Sequence, residues 1–245
     1  MKTYAILLAG GVGKRVKSGV PKQFLKVFGK MVLEHSVEVF ENNELIDEII
    51  VVTHKRFLDF TNEIFKRNRY KKIANILVGG KTRQKSSYIG VCSVCDDEAK
   101  ILIHDAVRPL VTDRMIRDCI VALDTYDAVS VAIPETNTIV KSFNGSVVDG
   151  ILERQLLVRV QTPQAFKLSV IRYAHELANA QASSSHTDDC GIVKLFNLAR
   201  IHIVKGDETN IKITNFVDIF IADMLFKMRH SQPPATDLEG LVGKF

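Results

Sequence analysis

The chain has 245 residues, 46% of them hydrophobic, and carries 33 Lys and Arg against 28 Asp and Glu, a net charge of +5. That length and apolar content suffice for one substantial core, and no apolar run approaches the roughly 20 residues that a membrane span needs. The cations are spread along the chain instead of gathered in one run, so small anionic substrates explain the excess as well as nucleic acid would, and no nucleic-acid partner is expected.

The opening Met1-Lys2-Thr3-Tyr4 enters an apolar run without the pattern of a signal peptide, which reads as a cytoplasmic protein. Tyr4–Leu8 predicts a buried strand that runs into a glycine-rich turn. Leu33, Val37 and Phe40 share one helical face and predict a helix ending near Asn43; Ile46–Thr53 then reads as a buried strand. A polar helix from about Lys55 to Arg67 follows, then a strand Ile73–Val78, a helix from Arg83 through Val94 and a strand Lys100–His104. Thr112 is placed to cap a helix that runs to Leu123, and Ala128–Ile133 is the next strand. Near-continuous apolar strands alternating with amphipathic helices imply an α/β fold with a mostly parallel sheet covered on both faces.

The alternation breaks after Pro134, where Ile139, Val140, Phe143, Val147 and Val148 surround Asn144-Gly145, a strong hairpin signal. A hairpin there has too little core of its own, so it folds back or packs on a second copy; a homodimer is the natural consequence. Helices from Lys167 to about Asn179 and from Thr187 onward, a strand Ile201–Val204 and a closing helix Asn215–Met228 complete the folded part. Residues 1–230 are therefore expected to form one domain with an arm at about 137–156, and residues 231–245, opening Ser231-Gln232-Pro233-Pro234, a flexible tail. The four cysteines, Cys92, Cys95, Cys119 and Cys190, are expected to be structural thiols, because the Cys92/Cys95 pair lacks the second pair of a zinc site.

Chemistry is expected at the carboxyl ends of the parallel strands. The first ends in Leu8-Ala9-Gly10-Gly11-Val12-Gly13-Lys14-Arg15, followed by Pro21-Lys22-Gln23. Glycines there let backbone N–H groups approach phosphate oxygens. The loop is neither a Walker loop, since Arg15 stands where a Ser or Thr is required, nor a dinucleotide fingerprint, since Val16 stands where a small residue is required. Arg15 and Lys22 are both placed to reach one polyphosphate. The strand Ile73–Val78 ends in Gly79-Gly80-Lys81-Thr82-Arg83-Gln84-Lys85-Ser86, whose glycines and hydroxyls could hold a base and ribose. The next ends in His104-Asp105-Ala106-Val107-Arg108-Pro109, where Asp105 is a Mg²⁺ candidate and equally a turn aspartate, and His104 reads as structural. His186-Thr187-Asp188-Asp189-Cys190 resembles a metal cluster, but a threonine N-cap followed by acids at the helix dipole explains it more simply.

With these segments in place the chain closely resembles the bacterial cytidylyltransferases that make CDP-linked polyols, a family that includes methylerythritol-phosphate and ribitol-phosphate branches. The resemblance covers about Tyr4 to Arg229 and runs through Gly10-Gly11-x-Gly13-x-Arg15, Pro21-Lys22-Gln23, Leu33-Glu34-His35-Ser36, Gly79-Gly80-x-x-Arg83, His104-Asp105-Ala106-x-Arg108-Pro109, Thr138-Ile139, Gln161-Thr162-Pro163-Gln164, Thr187-Asp188-Asp189 and Asn210-Ile211-Lys212-x-Thr214. It implies a Rossmann-like three-layer α/β/α nucleotidyltransferase with a protruding β-hairpin dimerisation arm, transferring a cytidylyl group from CTP to a polyol phosphate with Mg²⁺. It further implies that Arg15, Lys22 and Lys212 serve the phosphates, that Leu8, Ala9, Gly10, Gly11, Gly13, Gly79, Gly80, Arg83 and Ser86 hold the nucleotide, and that Asp105 lies near metal and acceptor. Arg108, Thr162 and Thr187 fall on the acceptor side, while Thr138 and Arg154 of the arm grip the acceptor in a second copy's site.

For the acceptor, Val158 stands where methylerythritol enzymes usually carry a tryptophan, a residue this chain lacks entirely, and Lys205 stands where they tend to carry an acid. Those departures favour D-ribitol 5-phosphate, for cell-surface polysaccharide precursors, over 2-C-methyl-D-erythritol 4-phosphate of isoprenoid synthesis. A non-catalytic nucleotide-binding protein is the reading from another class, against which the intact cation set argues.

Overall fold

A computed structural model describes residues 1–11, 20–181 and 188–231. In chain order the elements are β1 (Thr3–Ala9), β2 (Lys26–Val27), β3 (Lys30–Met31), α1 (Val32–Asn42), β4 (Glu48–Thr53), α2 (Leu58–Asn68), β5 (Ile73–Val78), α3 (Arg83–Cys92), β6 (Lys100–Asp105), α4 (Asp113–Ala122) and β7 (Ala128–Pro134). There follow β8 (Val140–Lys141), β9 (Gly150–Ile151), β10 (Val158–Lys167), α5 (Leu168–Ala180), α6 (Asp189–Leu195), β11 (Ile201–Lys205) and α7 (Val217–His230). A 3-10 turn at Lys22–Phe24 leads into β2.

Seven strands form one sheet in the order β11-β7-β10-β6-β1-β4-β5. β1 pairs in parallel with β4 and β6, β4 with β5 and β7 with β11, whereas β10 runs antiparallel to both β6 and β7. The strands are apolar on both faces because both faces are covered. In β1, Ala5, Leu7 and Ala9 enter a core shared with α1, α2 and α4, while Tyr4, Ile6 and Leu8 enter one shared with α3, α5 and α6. Burying each large side chain of this kind is worth about 1.5–3 kcal/mol, so the twin cores set the three-layer arrangement expected from sequence.

Most elements lie where their periodicity places them. Thr112 caps α4, its hydroxyl accepting from Met115 N at 3.3 Å. The cap of α6 differs from expectation: it is Asp188, whose Oδ1 accepts from Gly191 N at 2.8 Å, and Thr187 lies outside the described residues. The sheet's antiparallel member, β10, was not foreseen. Its Gln161-Thr162-Pro163-Gln164 reads as a breaker, since proline cannot donate to a ladder. The structure places that stretch at a register shift between Val160 and Gln164, with a cis Thr162–Pro163 bond, so the proline falls where the pairing is already interrupted.

Between β7 and β10, β8 and β9 pair over two residues each, Val140 with Ile151 and Lys141 with Gly150. The connection is a long loop, not a two-residue Asn-Gly turn. Asp149 Oδ2 accepts from Phe143 N at 2.6 Å, and Asn144 Oδ1 accepts from Ser146 N at 2.8 Å. A third small core joins α7 to β2–β3: Val27, Val32, Val107, Leu110, Ile213, Ala222 and Phe226. Among the described residues, no helix is long and apolar enough to cross a membrane.

Candidate active site

The carboxyl ends of β1, β5 and β6 border a cavity of about 350 Å³. Its floor is Leu8–Gly11. Gln23, itself buried, donates to Ala9 O at 2.7 Å and Gly11 O at 2.9 Å, and so fixes the glycine turn to the turn that carries Lys22. Across the cavity the β5–α3 turn is drawn in by Ser86, whose Oγ accepts from Gly80 N at 3.1 Å and donates to Thr82 O at 3.0 Å. Glycine is required at 79, because a Cβ there would sit 2.8 Å from Ser86 Oγ and 3.3 Å from Thr53 O. Thr82 caps α3 by accepting from Lys85 N, so the helix starts at the cavity edge and Arg83 leaves its first turn.

Asp105, at the end of β6, is the hub. Its Oδ1 accepts from Arg83 Nε at 2.9 Å and its Oδ2 from Lys212 Nζ at 2.6 Å. Burial alone would raise this carboxyl's pKa, but the Arg83 guanidinium and the Lys212 ammonium outweigh it and hold Asp105 well below the usual carboxylate range. Arg83 also donates from Nη1 to Asp189 Oδ2 at 2.7 Å. Asp189 is buried, and its Oδ1 accepts from Ser87 Oγ at 2.5 Å and lies 3.2 Å from His175 Nε2. Burial opposes ionisation there too, yet Arg83 and His175 keep Asp189 far below its ordinary value. Arg83 is thus held between two carboxylates, which overcome its own desolvation and raise its pKa.

Below Asp105, Thr162 Oγ1 accepts from Asp105 N at 3.1 Å and lies 3.0 Å from His104 Nδ1. His104 Nε2 lies 3.2 Å from Arg108 O, so that nitrogen carries the proton and Nδ1 accepts from the threonine hydroxyl. Burial pushes the His104 pKa down to about 4, so the ring is neutral near pH 7. Asn210 ties the last loop to β10, donating from Nδ2 to Thr162 O at 3.0 Å, while Arg108 Nη1 donates to Asn210 O at 2.7 Å. Those bonds, with Ile213 N to Val107 O at 2.9 Å, deliver Lys212 to Asp105.

A second cavity of about 230 Å³ shares Arg83, Asp105 and Lys212 with the first and is walled by Arg108, Val160, Gln161, Thr162, Gln164 and Asp188. Arg83 Nη2 and Arg108 Nε are buried without a hydrogen-bond partner among the described residues. Buried donors left open beside a cavity are what an anionic ligand would satisfy.

Of the sequence candidates, Leu8, Ala9, Gly10, Gly11, Lys22, Gly80, Arg83, Ser86, Asp105 and Lys212 line the first cavity, and Arg108 and Thr162 the second. Gly79 backs the first through Ser86. Thr138 and Arg154 line neither; they are exposed on the segment beyond β7, where Arg154 Nη1 donates to Thr136 O at 3.1 Å. Gly13, Arg15 and Thr187 lie outside the described residues. Sequence reasoning did not assign Gln23, Asp189 or His175. The acids at 188–189 read as a helix-dipole pattern, and nothing local shows that Asp189 turns inward to Arg83.

The sequence model of 2-C-methyl-D-erythritol 4-phosphate cytidylyltransferase matches residues 3–228. The chain belongs to this cytidylyltransferase family. Among relatives, it is 42% identical over 232 residues to the bifunctional ribulose 5-phosphate reductase/CDP-ribitol pyrophosphorylase Bcs1 of Haemophilus influenzae, covering 93% of this chain but 49% of that protein, about half its length. It is 38% identical over 230 residues to the 2-C-methyl-D-erythritol 4-phosphate cytidylyltransferase of Thermobifida fusca, covering 91% of this chain and 92% of that one. The structure resembles the 4-diphosphocytidyl-2C-methyl-D-erythritol synthase of Anaerococcus prevotii with a TM-score of 0.80 at 28% identity, over 92% of this chain and 96% of that one. As a family member the chain is a nucleotidyltransferase, a cytidylyltransferase that uses CTP and a polyol phosphate.

Proposed function

We propose that the enzyme transfers CMP from CTP to D-ribitol 5-phosphate. A phosphate oxygen of the acceptor attacks the α-phosphorus of CTP, a new P–O–P linkage forms, and the bond from the α-phosphorus to the bridging oxygen breaks, so that diphosphate leaves. The attacking oxygen is already anionic, so no strong base is called for. Catalysis rests on in-line positioning and neutralisation of charge at the α-phosphate. The observation that carries this reading is the pair of adjoining cavities sharing Arg83, Asp105 and Lys212: the larger, over the glycine turn, takes the nucleotide, and the smaller takes the acceptor phosphate.

In this reading Lys22 and Arg15 bind the triphosphate, Lys212 stabilises charge at the attacked phosphorus, and Gly79, Gly80, Arg83 and Ser86 shape the base and ribose side. Arg108, Thr162 and Thr187 serve the acceptor. Asp105 would hold a Mg²⁺ beside the nucleotide phosphates, since each of its carboxylate oxygens accepts one protein bond and keeps a lone pair. When bound, the ion neutralises phosphate charge.

The segment between β7 and β10 is proposed as the dimer arm. It exposes Phe143, Ile151 and Leu156 at 78%, 72% and 73%, values that call for a covering surface. Thr138 and Arg154 would then reach the acceptor in the second copy's site.

Val158 and Lys205, the absence of tryptophan and the 42% identity to a CDP-ribitol pyrophosphorylase support ribitol 5-phosphate. The family model and the full-length match at 38% identity support 2-C-methyl-D-erythritol 4-phosphate as the second reading. Diphosphate release from CTP and Mg²⁺ with each acceptor decides between them: ribitol 5-phosphate is expected to give the higher kcat/KM, and a preference for methylerythritol phosphate overturns the assignment.

A further inference from the structure

Away from the two active-site cavities lies a separate chamber of about 360 Å³, which the proposed chemistry leaves unused. Phe28, His35, Phe226 and His230 line it with rings. The rings pack on one another: His35 lies 4.1 Å from Phe226 between centroids, Phe28 lies 4.8 Å from His230, and Phe28 is parallel to Phe226 within 6°. Phe28 and Gly29, at φ of +47° and +82°, are the two central residues of the tight turn between β2 and β3, and that turn sets the Phe28 ring in the wall. Besides the two histidines, the polar part of the lining is Asn42, Lys30, Arg229 and Glu38, two cations against one anion, with Arg229 Nη2 also donating to Leu110 O at 2.8 Å and Thr209 Oγ1 at 2.7 Å. Lys30 Nζ is held by both Glu38 oxygens at 2.7 and 2.8 Å.

The chamber adjoins the segments that carry the active site. The β2–β3 turn follows directly from the turn bearing Lys22 and is tied to α7 by Phe28 N donating to Asp223 Oδ1 at 2.9 Å. Pro109 and Val111, which also line it, follow Arg108 in sequence. α7 supplies Phe226, Arg229 and His230, and its start is fixed just past Lys212, where Asp218 Oδ2 accepts from Thr214 N at 2.6 Å and Asn215 N at 2.7 Å.

We propose that this chamber is an effector site for a small aromatic carboxylate, and that its occupancy changes CTP affinity. The volume is at the small end of the roughly 300–1,000 Å³ typical of ligand sites. The rings receive an aromatic ring by offset or edge contacts. The single net positive charge matches a monoanion, and Glu38 disfavours a dianion such as an aryl phosphate.

The test uses 2-naphthoate as probe on the full chain, with calorimetry for Kd and amide NMR shifts for location. Naphthoate is expected to bind about tenfold more tightly than the uncharged 2-naphthamide, and more tightly than phenyl phosphate. Phe28→Gly, which suits the left-handed backbone while removing a ring, and Lys30→Met should each weaken it about fivefold or more; Glu38→Gln, which releases Lys30, should tighten it about threefold. Saturating naphthoate should change the Kd of CTP by the factor by which CTP changes that of naphthoate. No binding to the native chain, equal binding by all variants, or direct competition with CTP overturns the site. Tighter binding of phenyl phosphate overturns the carboxylate assignment, and an unchanged CTP Kd overturns the coupling. None of the binding arms depends on which acceptor the enzyme uses.

Discussion

Asp105 and His104 are adjacent and buried, and both have lowered pKa values, for opposite reasons. Asp105 stays ionised because two cations touch it, whereas His104 stays neutral because burial outweighs its carboxylate neighbour. The histidine carries a pH consequence. Its ordinary pKa of 6.5 falls to about 4 in the fold, so between those values the unfolded chain binds more protons than the folded one. Its contribution is complete above about 6.5 and is lost as pH falls toward 4, amounting to about 3 kcal/mol. His35, lowered by burial as well, adds to the same slope. A His104→Gln variant should show a flatter decline of unfolding free energy between pH 6.5 and 4; an unchanged slope would remove His104 from the account. For catalysis, Lys22→Ala and Lys212→Ala should each lower kcat by about 10²-fold or more; Lys22→Ala should leave Tm within a few degrees, whereas Lys212→Ala should also lower Tm because it takes away one of the two cations on buried Asp105, as steady-state diphosphate release and thermal melts would report. Near-normal turnover in either variant rejects its role.

At the scale of elements, α3 deserves its glycine. Gly90 lies against β1 and β4, where an added Cβ would sit 2.5 Å from Ile6 Cγ2 and 3.2 Å from Val52 Cγ2. Both neighbours are β-branched and buried in the sheet, so they have little freedom to yield. Gly90→Ala gains up to about 1 kcal/mol of helix propensity and loses about 1–3 kcal/mol to overpacking. A lower Tm is expected, together with a raised KM for CTP, because α3 carries Arg83 and Ser86; a Tm increase would show that the helix moves away freely. β10 matters for a different reason. Running against its neighbours, it brings its amino-terminal half, with Gln161 and Thr162, to the carboxyl end of β6. A parallel strand would have placed those side chains at the opposite edge of the sheet.

At the scale of the molecule, the proposal is that each site is completed by two copies: Lys212 from one chain and Arg154 from the other. Mixing and reassembling Lys212→Ala with Arg154→Ala chains, each inactive alone, should restore about a quarter of native activity, because half of the dimers are hybrids and each hybrid has one intact site. Failure to complement, with hybrids demonstrated by mass spectrometry, would confine the site to one chain. Phe143→Ser together with Ile151→Ser and Leu156→Ser should lower the apparent mass in sedimentation toward that of one chain.

The sequence by itself determined the layered α/β fold and the loaded strand ends that border the cavity, because both follow from short-range physics, whereas Lys212, Arg108 and Thr162 stood out only through the family resemblance. Hydrophobic periodicity marks each strand and helix, and glycines with cations at strand ends mark where phosphates are held. Thr112 and the span of β5 are visible in the same way. What the tertiary structure alone decided depends on contacts distant in sequence. Asp105 could be read locally as a metal ligand or a turn residue; only folding shows it clasped by Arg83 and Lys212. Asp189 could be read as a helix-dipole acid; only α6, packed against α5 and β7, turns it toward Arg83, Ser87 and His175. β10 was hidden because its proline and polar residues look like a loop until the interrupted pairing with β7 supplies a place for them.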